Sequence, residues 1–153
     1  MGKNKLKKFA EMREFKCVLQ YPREELIKNG FPYRGSWNES VFGHVAPIVV
    51  ELGCGKGEYT VGLAKSDETR NYIGVDIKGA RMWSGARTVE EEGIGNAAFL
   101  RAEIENIDKF FVPGEVDELW ITFPDPQMQK TRKRLTSTRF LNLYRNILRD
   151  VSH

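Results

Sequence analysis

From residue 48 onward, apolar positions alternate between two kinds of spacing. Short β-branched or aromatic runs, of which Ile48-Val49-Val50-Glu51-Leu52 is the first, stop at a glycine or an acid. Strands buried on both faces of a parallel sheet read this way. Between the runs, apolar residues recur at helical intervals: Tyr59, Val61, Leu63 and Ala64 predict a helix ending near Lys65 and Ser66. A second strand spans Tyr72 to Val75 and closes at Asp76, and a helix from about Gly79 to Glu92 stops before Gly93, where glycine is a common terminator. Ala97 to Arg101 predicts a third strand, Glu105 to Phe111 a short helix and Glu118 to Phe123 a fourth strand. Leu135 to Arg149, with Leu141, Tyr144, Ile147 and Leu148 on one stripe, predicts a helix packed back on the sheet. The order β-α-β-α-β-α-β-α implies an α/β fold, a doubly wound, Rossmann-like sheet of about four parallel strands with right-handed crossover helices. The segment 46–153 is therefore the expected domain. Residues 1–45 hold Pro22, Gly30, Pro32 and Gly35 without sustained periodicity, and read as an arm with a short helix near Arg23 to Lys28.

Composition narrows the class. With 153 residues, 41% hydrophobic, the chain has material for one compact core. No apolar run approaches the roughly 20 residues that cross a bilayer. The start, MGKNKLKKFAEMREFK, lacks the apolar stretch of a secretion signal. A soluble, cytoplasmic protein without membrane contact is expected. Cys17 and Cys54 stand in unrelated segments with no metal-ligand spacing, so neither a metal nor a disulfide is expected. The formal net charge of +3 says little by itself. Its distribution says more: Lys3, Lys5, Lys7, Lys8, Arg13 and Lys16 crowd the N-terminus, and Lys130, Arg132, Lys133, Arg134 and Arg139 follow the fourth strand, whereas Glu90, Glu91 and Glu92 lie elsewhere. That separation suits a polyanion meeting one face, although each cluster alone reads equally as a solvated surface.

The chemistry concentrates at strand ends. Glu51-Leu52-Gly53-Cys54-Gly55-Lys56-Gly57 follows a strand and opens a helix, the setting in which glycines let backbone approach a nucleotide-like ligand. A dinucleotide fingerprint would place its third glycine at position 58, which is Glu58. A carboxylate at that helix N-terminus opposes a pyrophosphate, so Gly53, Gly55 and Gly57 suit a ligand without phosphates and with cationic character. S-adenosylmethionine, with an ammonium and a sulfonium, is such a ligand, and Glu51 at the mouth of the loop opposes its charge. About twenty residues on, Asp76 ends the second strand, where an acid accepts ribose hydroxyls. Glu103 follows the third strand, placed for an adenine amine. Ordinary loop acids around a tight turn are the plainer alternative. At the fourth strand end, Thr122-Phe123-Pro124-Asp125-Pro126 puts Asp125 beside the ligand, its backbone fixed by flanking prolines, and the basic run from Lys130 points to phosphates nearby.

The run Glu51 to Gly57, the segment Tyr72-Ile73-Gly74-Val75-Asp76-Ile77, and above all Phe123-Pro124-Asp125-Pro126 with its basic stretch and Arg134-Leu135 resemble the bacterial tRNA (guanine-N7)-methyltransferases. Gly35, Trp37, Phe42 and Pro47-Ile48 are similar to that family's approach to its first strand. The resemblance runs from about residue 30 to the end. It implies a class I methyltransferase sheet and S-adenosylmethionine as cofactor, held by Glu51, Gly53, Gly55, Gly57, Asp76, Glu103 and Asp125. It also implies methyl transfer to guanosine 46 of the tRNA variable loop, with Asp125 catalytic and Lys130, Arg132, Lys133 and Arg134 contacting tRNA. The family usually has Trp and Lys where this chain has Gln127 and Gln129, which makes Lys130 the candidate replacement.

Sheets of that class ordinarily continue further, and the family's later Thr-Asp pair and Thr-x-x-Glu element have no counterpart before His153. The expectation is a C-terminally truncated chain that binds the cofactor weakly and self-associates through the exposed apolar edge of Leu119, Trp120 and Ile121. Two alternatives stay open: an S-adenosylmethionine-dependent methyltransferase of another substrate class, and a non-catalytic RNA- or cofactor-binding remnant.

Overall fold

The computed structural model describes residues 2–121 and 137–149. In chain order the elements are α1 (Gly2–Glu14), β1 (Val18–Gln20), α2 (Arg23–Asn29), a π-helical turn (Trp37–Phe42), β2 (Ile48–Leu52), α3 (Glu58–Ser66), β3 (Asn71–Asp76), α4 (Gly79–Glu92), β4 (Ala97–Arg101), a 3-10 helix (Ile104–Lys109), β5 (Glu118–Ile121) and α5 (Thr138–Ile147). The strands form one parallel sheet in the order β1-β4-β3-β2-β5. Val50 lies opposite Ile73 and Leu119, and Ile73 opposite Ala98, so the apolar centres of neighbouring strands are in register.

Alternate side chains of each strand face opposite layers. Val49, Tyr72, Ala97 and Phe99 join Met12, Val61, Ala64, Met82, Ala86 and Val89 in one layer, beneath α1, α3 and α4. Ile48, Val50, Leu52, Ile73, Val75 and Leu100 face the other, where Phe31, Trp37, Phe110, Phe111, Phe140 and Tyr144 pack. The fold is the expected α/β parallel sheet, and β2 to β5 are the four strands that the apolar runs predict.

The arm differs from its sequence reading. It supplies a fifth strand, β1, which pairs in parallel with β4 through Val18 opposite Phe99, and the Phe99 amide donates to the Cys17 carbonyl at 2.7 Å. It also supplies α1, whose Met12 is fully buried, and the π-helical turn, whose Trp37 is fully buried. Three residues are too short to show a period, and β1 gains its hydrogen bonds from a strand about eighty positions away, so only tertiary pairing defines it. All five strands run the same way, so Gln20, Leu52, Asp76, Arg101 and Ile121 end at one edge.

Candidate functional site

At that edge the chain leaves β2 through three glycines with left-handed backbone: Gly53 at φ 76°, Gly55 at φ 56° and Gly57 at φ 80°. Side-chain-bearing residues rarely adopt this conformation, which explains the residue type. The amides of Gly53 and Cys54 donate to the Val75 carbonyl at 2.8 and 3.0 Å, and the Gly57 amide to the Cys54 carbonyl at 2.9 Å. The loop is thereby fastened to the adjacent strand, and α3 starts directly behind it with Gly57 as its N-cap.

The ring of Phe99 supports the loop from below. A methyl carbon on Gly57 would lie 2.6 Å from this ring, one on Gly74 3.0 Å and one on Gly85 2.9 Å. Glycines from the loop, from β3 and from α4 therefore make room for one buried aromatic side chain. The Gly85 amide also donates to the Lys56 carbonyl at 2.9 Å. Phe99 and Gly85 are positioning residues that sequence reasoning missed. The available signal was a glycine inside an otherwise amphipathic helix, which implies close backbone approach.

Asp76 is 8% exposed, and both its oxygens are held by backbone: the Gly55 amide donates to Oδ2 and the Lys78 amide to Oδ1, each at 2.9 Å. A carboxylate accepts up to about four hydrogen bonds, so two donors leave capacity for a ligand's hydroxyls. Glu51 is 5% exposed and accepts from Thr60 Oγ1 of α3 at 2.5 Å. In the same loop the Cys54 thiol is buried, and its pKa is pushed well above its ordinary value by burial first, then by the charges of Asp76 and Glu51. Glu58 adds a third carboxylate, in the first turn of α3. Such a cradle fits a ligand with a cationic end and vicinal hydroxyls, and opposes a phosphate.

The structure brings Glu51, Gly53, Gly55, Gly57 and Asp76 together at neighbouring strand ends. Glu103 sits one strand further along, exposed, capping the 3-10 helix. Asp125, Lys130, Arg132, Lys133 and Arg134 lie outside the described residues. Among the described residues no group of three or more His, Cys, Asp or Glu side chains could hold a metal, and no helix is long and apolar enough to cross a membrane.

The family model described as "Putative methyltransferase" matches residues 45–152. The tRNA (guanine-N(7)-)-methyltransferase of Christiangramia forsetii is 54% identical over 151 residues, covering 97% of this chain and 67% of that protein. The protein of the same name from Porphyromonas gingivalis is 58% identical over 139 residues, covering 90% of this chain and 57% of that protein. The chain thus spans about three-fifths of the length of the curated relatives it matches. Among solved structures, the 16S rRNA (adenine(1408)-N(1))-methyltransferase from Catenulisporales acidiphilia with cosubstrate SAM superposes with a TM-score of 0.56 at 21% identity, covering 67% of this chain and 51% of that one. At that identity the likeness concerns the fold, which is the class I methyltransferase sheet. A family match over most of the chain, and relatives more than half identical to it, make this chain a member of the tRNA (guanine-N7)-methyltransferase family.

Proposed function

We propose that the protein transfers the methyl group of S-adenosylmethionine to N7 of guanosine 46 in the tRNA variable loop. The observation that carries this reading is the joining of the glycine loop to the buried carboxylate of Asp76, in a chain 54% identical to a protein named tRNA (guanine-N(7)-)-methyltransferase. When bound, S-adenosylmethionine supplies an electrophilic methyl group on a cationic sulfur. In this reading Asp76 accepts the ribose hydroxyls with its remaining lone pairs, and its two backbone donors keep it oriented without a rotamer search on binding. Glu51 and Asp76 set a negative potential around the ligand's cationic end. Glu103, at the next strand end, is the acceptor for the adenine amine.

Guanine N7 carries an available lone pair and loses no proton on methylation, so the chemistry calls for alignment more than for a strong base. Asp125 is assigned the task of holding the guanine by accepting from its N1 and N2 protons and offsetting the positive charge that develops on the ring. Lys130, Arg132, Lys133 and Arg134 are assigned to tRNA phosphates beside it.

The test is transfer of tritiated methyl groups to unmodified tRNA, to the same tRNA with guanosine 46 replaced by adenosine, and to protein acceptors. Label is expected only on the first. Label on protein, or undiminished label on the substituted tRNA, would overturn the substrate, and no label on any acceptor would overturn the activity. In the Asp125→Ala variant, transfer should vanish while cofactor binding mostly persists; full activity there would refute the role of Asp125.

A further inference from the structure

Toward the edge where strands begin, three cations are paired: Lys65 lies 2.9 Å from Glu92, Arg70 2.7 Å from Glu118 and Arg149 3.2 Å from Asp117. Arg87, in the second half of α4, lies 2.6 Å from Glu91. The opposite edge differs on the flank built by α1, the start of α4 and the end of β4. There Lys5, Lys7, Lys8, Lys78, Arg81 and Arg101 have no carboxylate within 4.0 Å among the described residues.

Packing places these cations at the cofactor edge. Helix α1 runs alongside α4 in the same direction: a methyl carbon on Gly79 would lie 3.3 Å from the Phe9 ring, Glu11 accepts from Trp83 Nε1 at 2.7 Å, and the Cys17 thiol reaches the Ala86 carbonyl. The first half of α1 therefore lies beside the strand ends. Two aromatic rings hold the cationic stems. Arg101 and Lys5 sit 5.2 and 6.0 Å from the Phe9 centroid, and Lys8 sits 4.9 Å from that of Trp83. In the neighbouring groove Glu91 is paired with Arg87, while Glu11 accepts from Trp83 Nε1 and Glu90 from the Cys17 amide. Helix α1 also has no acid in its first turn, so its lysines stand at the positive end of the helix dipole. That arrangement opposes itself unless an anion lies against it.

We infer that this flank docks the phosphate backbone of the RNA substrate, on the β3–β4 side of the cofactor loop. The inference rests on the RNA-methyltransferase reading and adds a second contact surface to it. Phosphate contacts release counterions, so each one steepens the fall of affinity with salt by about one unit of log-log slope. The experiment measures anisotropy of a fluorescein-labelled unmodified tRNA transcript with the 153-residue chain, from roughly 50 to 200 mM salt. The Lys5→Gln/Lys7→Gln/Lys8→Gln variant should lose about three units of slope. Because Lys5 and Lys8 also pack on rings, Lys7→Gln/Lys78→Gln serves as a second variant, with far-UV circular dichroism unchanged and about two units lost. Arg70→Gln, at the edge where strands begin, should change nothing. Wild-type binding with unchanged slope and affinity in both variants would overturn the docking surface and leave the methyltransferase reading intact. Equal loss in Arg70→Gln would overturn it as well, and absence of tRNA binding by the wild-type chain would remove both.

Discussion

At single positions, the physical context reverses what residue type alone suggests. Replacing a glycine inside a helix by alanine ordinarily stabilises by about 1 kcal/mol. In Gly85→Ala the new methyl would meet the Lys56 carbonyl oxygen at 2.7 Å and the Phe99 ring at 2.9 Å. The expected outcome is a loss of about 1–3 kcal/mol in urea unfolding, because the obstructing atom is backbone; a gain would show that the loop does not rest on α4. Cys17 makes a second case. Burial, then the charge of Glu90, push its thiol from 9.0 to about 12. Above pH 9 the unfolded chain loses this proton and the folded chain keeps it, so the unfolded state binds fewer protons and stability falls as pH rises toward 12. This one group contributes a decline of about 1.4 kcal/mol per pH unit in that window. Cys17→Ala should make the measured decline shallower; an identical pH profile would contradict the shift.

At the level of elements, what sequence could show depended on where each element finds its partners. β2, β3, α4 and β4 announced themselves through runs such as Ile48 to Leu52 and terminators such as Gly93, because buried parallel strands and glycine stops leave local traces. β1 left none. Helix α1 was hidden too: its apolar contacts come from Phe9 and Met12 amid lysines, too sparse for a visible stripe, and its burial depends on α4 and β1. The π-helical turn is fixed by Trp37, whose Nε1 donates to the Phe110 carbonyl at 2.8 Å and whose ring stacks on Phe111 at 5.1 Å. Trp37→Ala should therefore cost about 3–5 kcal/mol, as for a buried aromatic in a core, and be read by thermal or urea unfolding. A loss below about 1 kcal/mol would show that the segment before β2 is peripheral.

For the whole molecule, one edge of the sheet gathers the chemistry and another the risk of association. The candidate acids Glu51, Asp76 and Glu103 stood out in the sequence because each lies at or just after a strand end. The supporting ring of Phe99 did not, since its role exists only once β4, β3 and α4 converge. Among the described residues β5 pairs with β2 alone, and Trp120 at 46% and Tyr59 at 57% stay exposed beside it. Light scattering should show mass rising with concentration, and Trp120→Lys should suppress the rise, because a charge on an open edge opposes pairing. A monomer at every concentration would refute this. The cofactor cradle itself is tested most directly by isothermal titration of S-adenosylmethionine into the chain and its Asp76→Ala variant. Weak, saturable binding at one site, abolished by the substitution, is the expected result. No heat from the parent chain, or equal affinity in the variant, would mean that the glycine loop and its carboxylate do not hold this ligand.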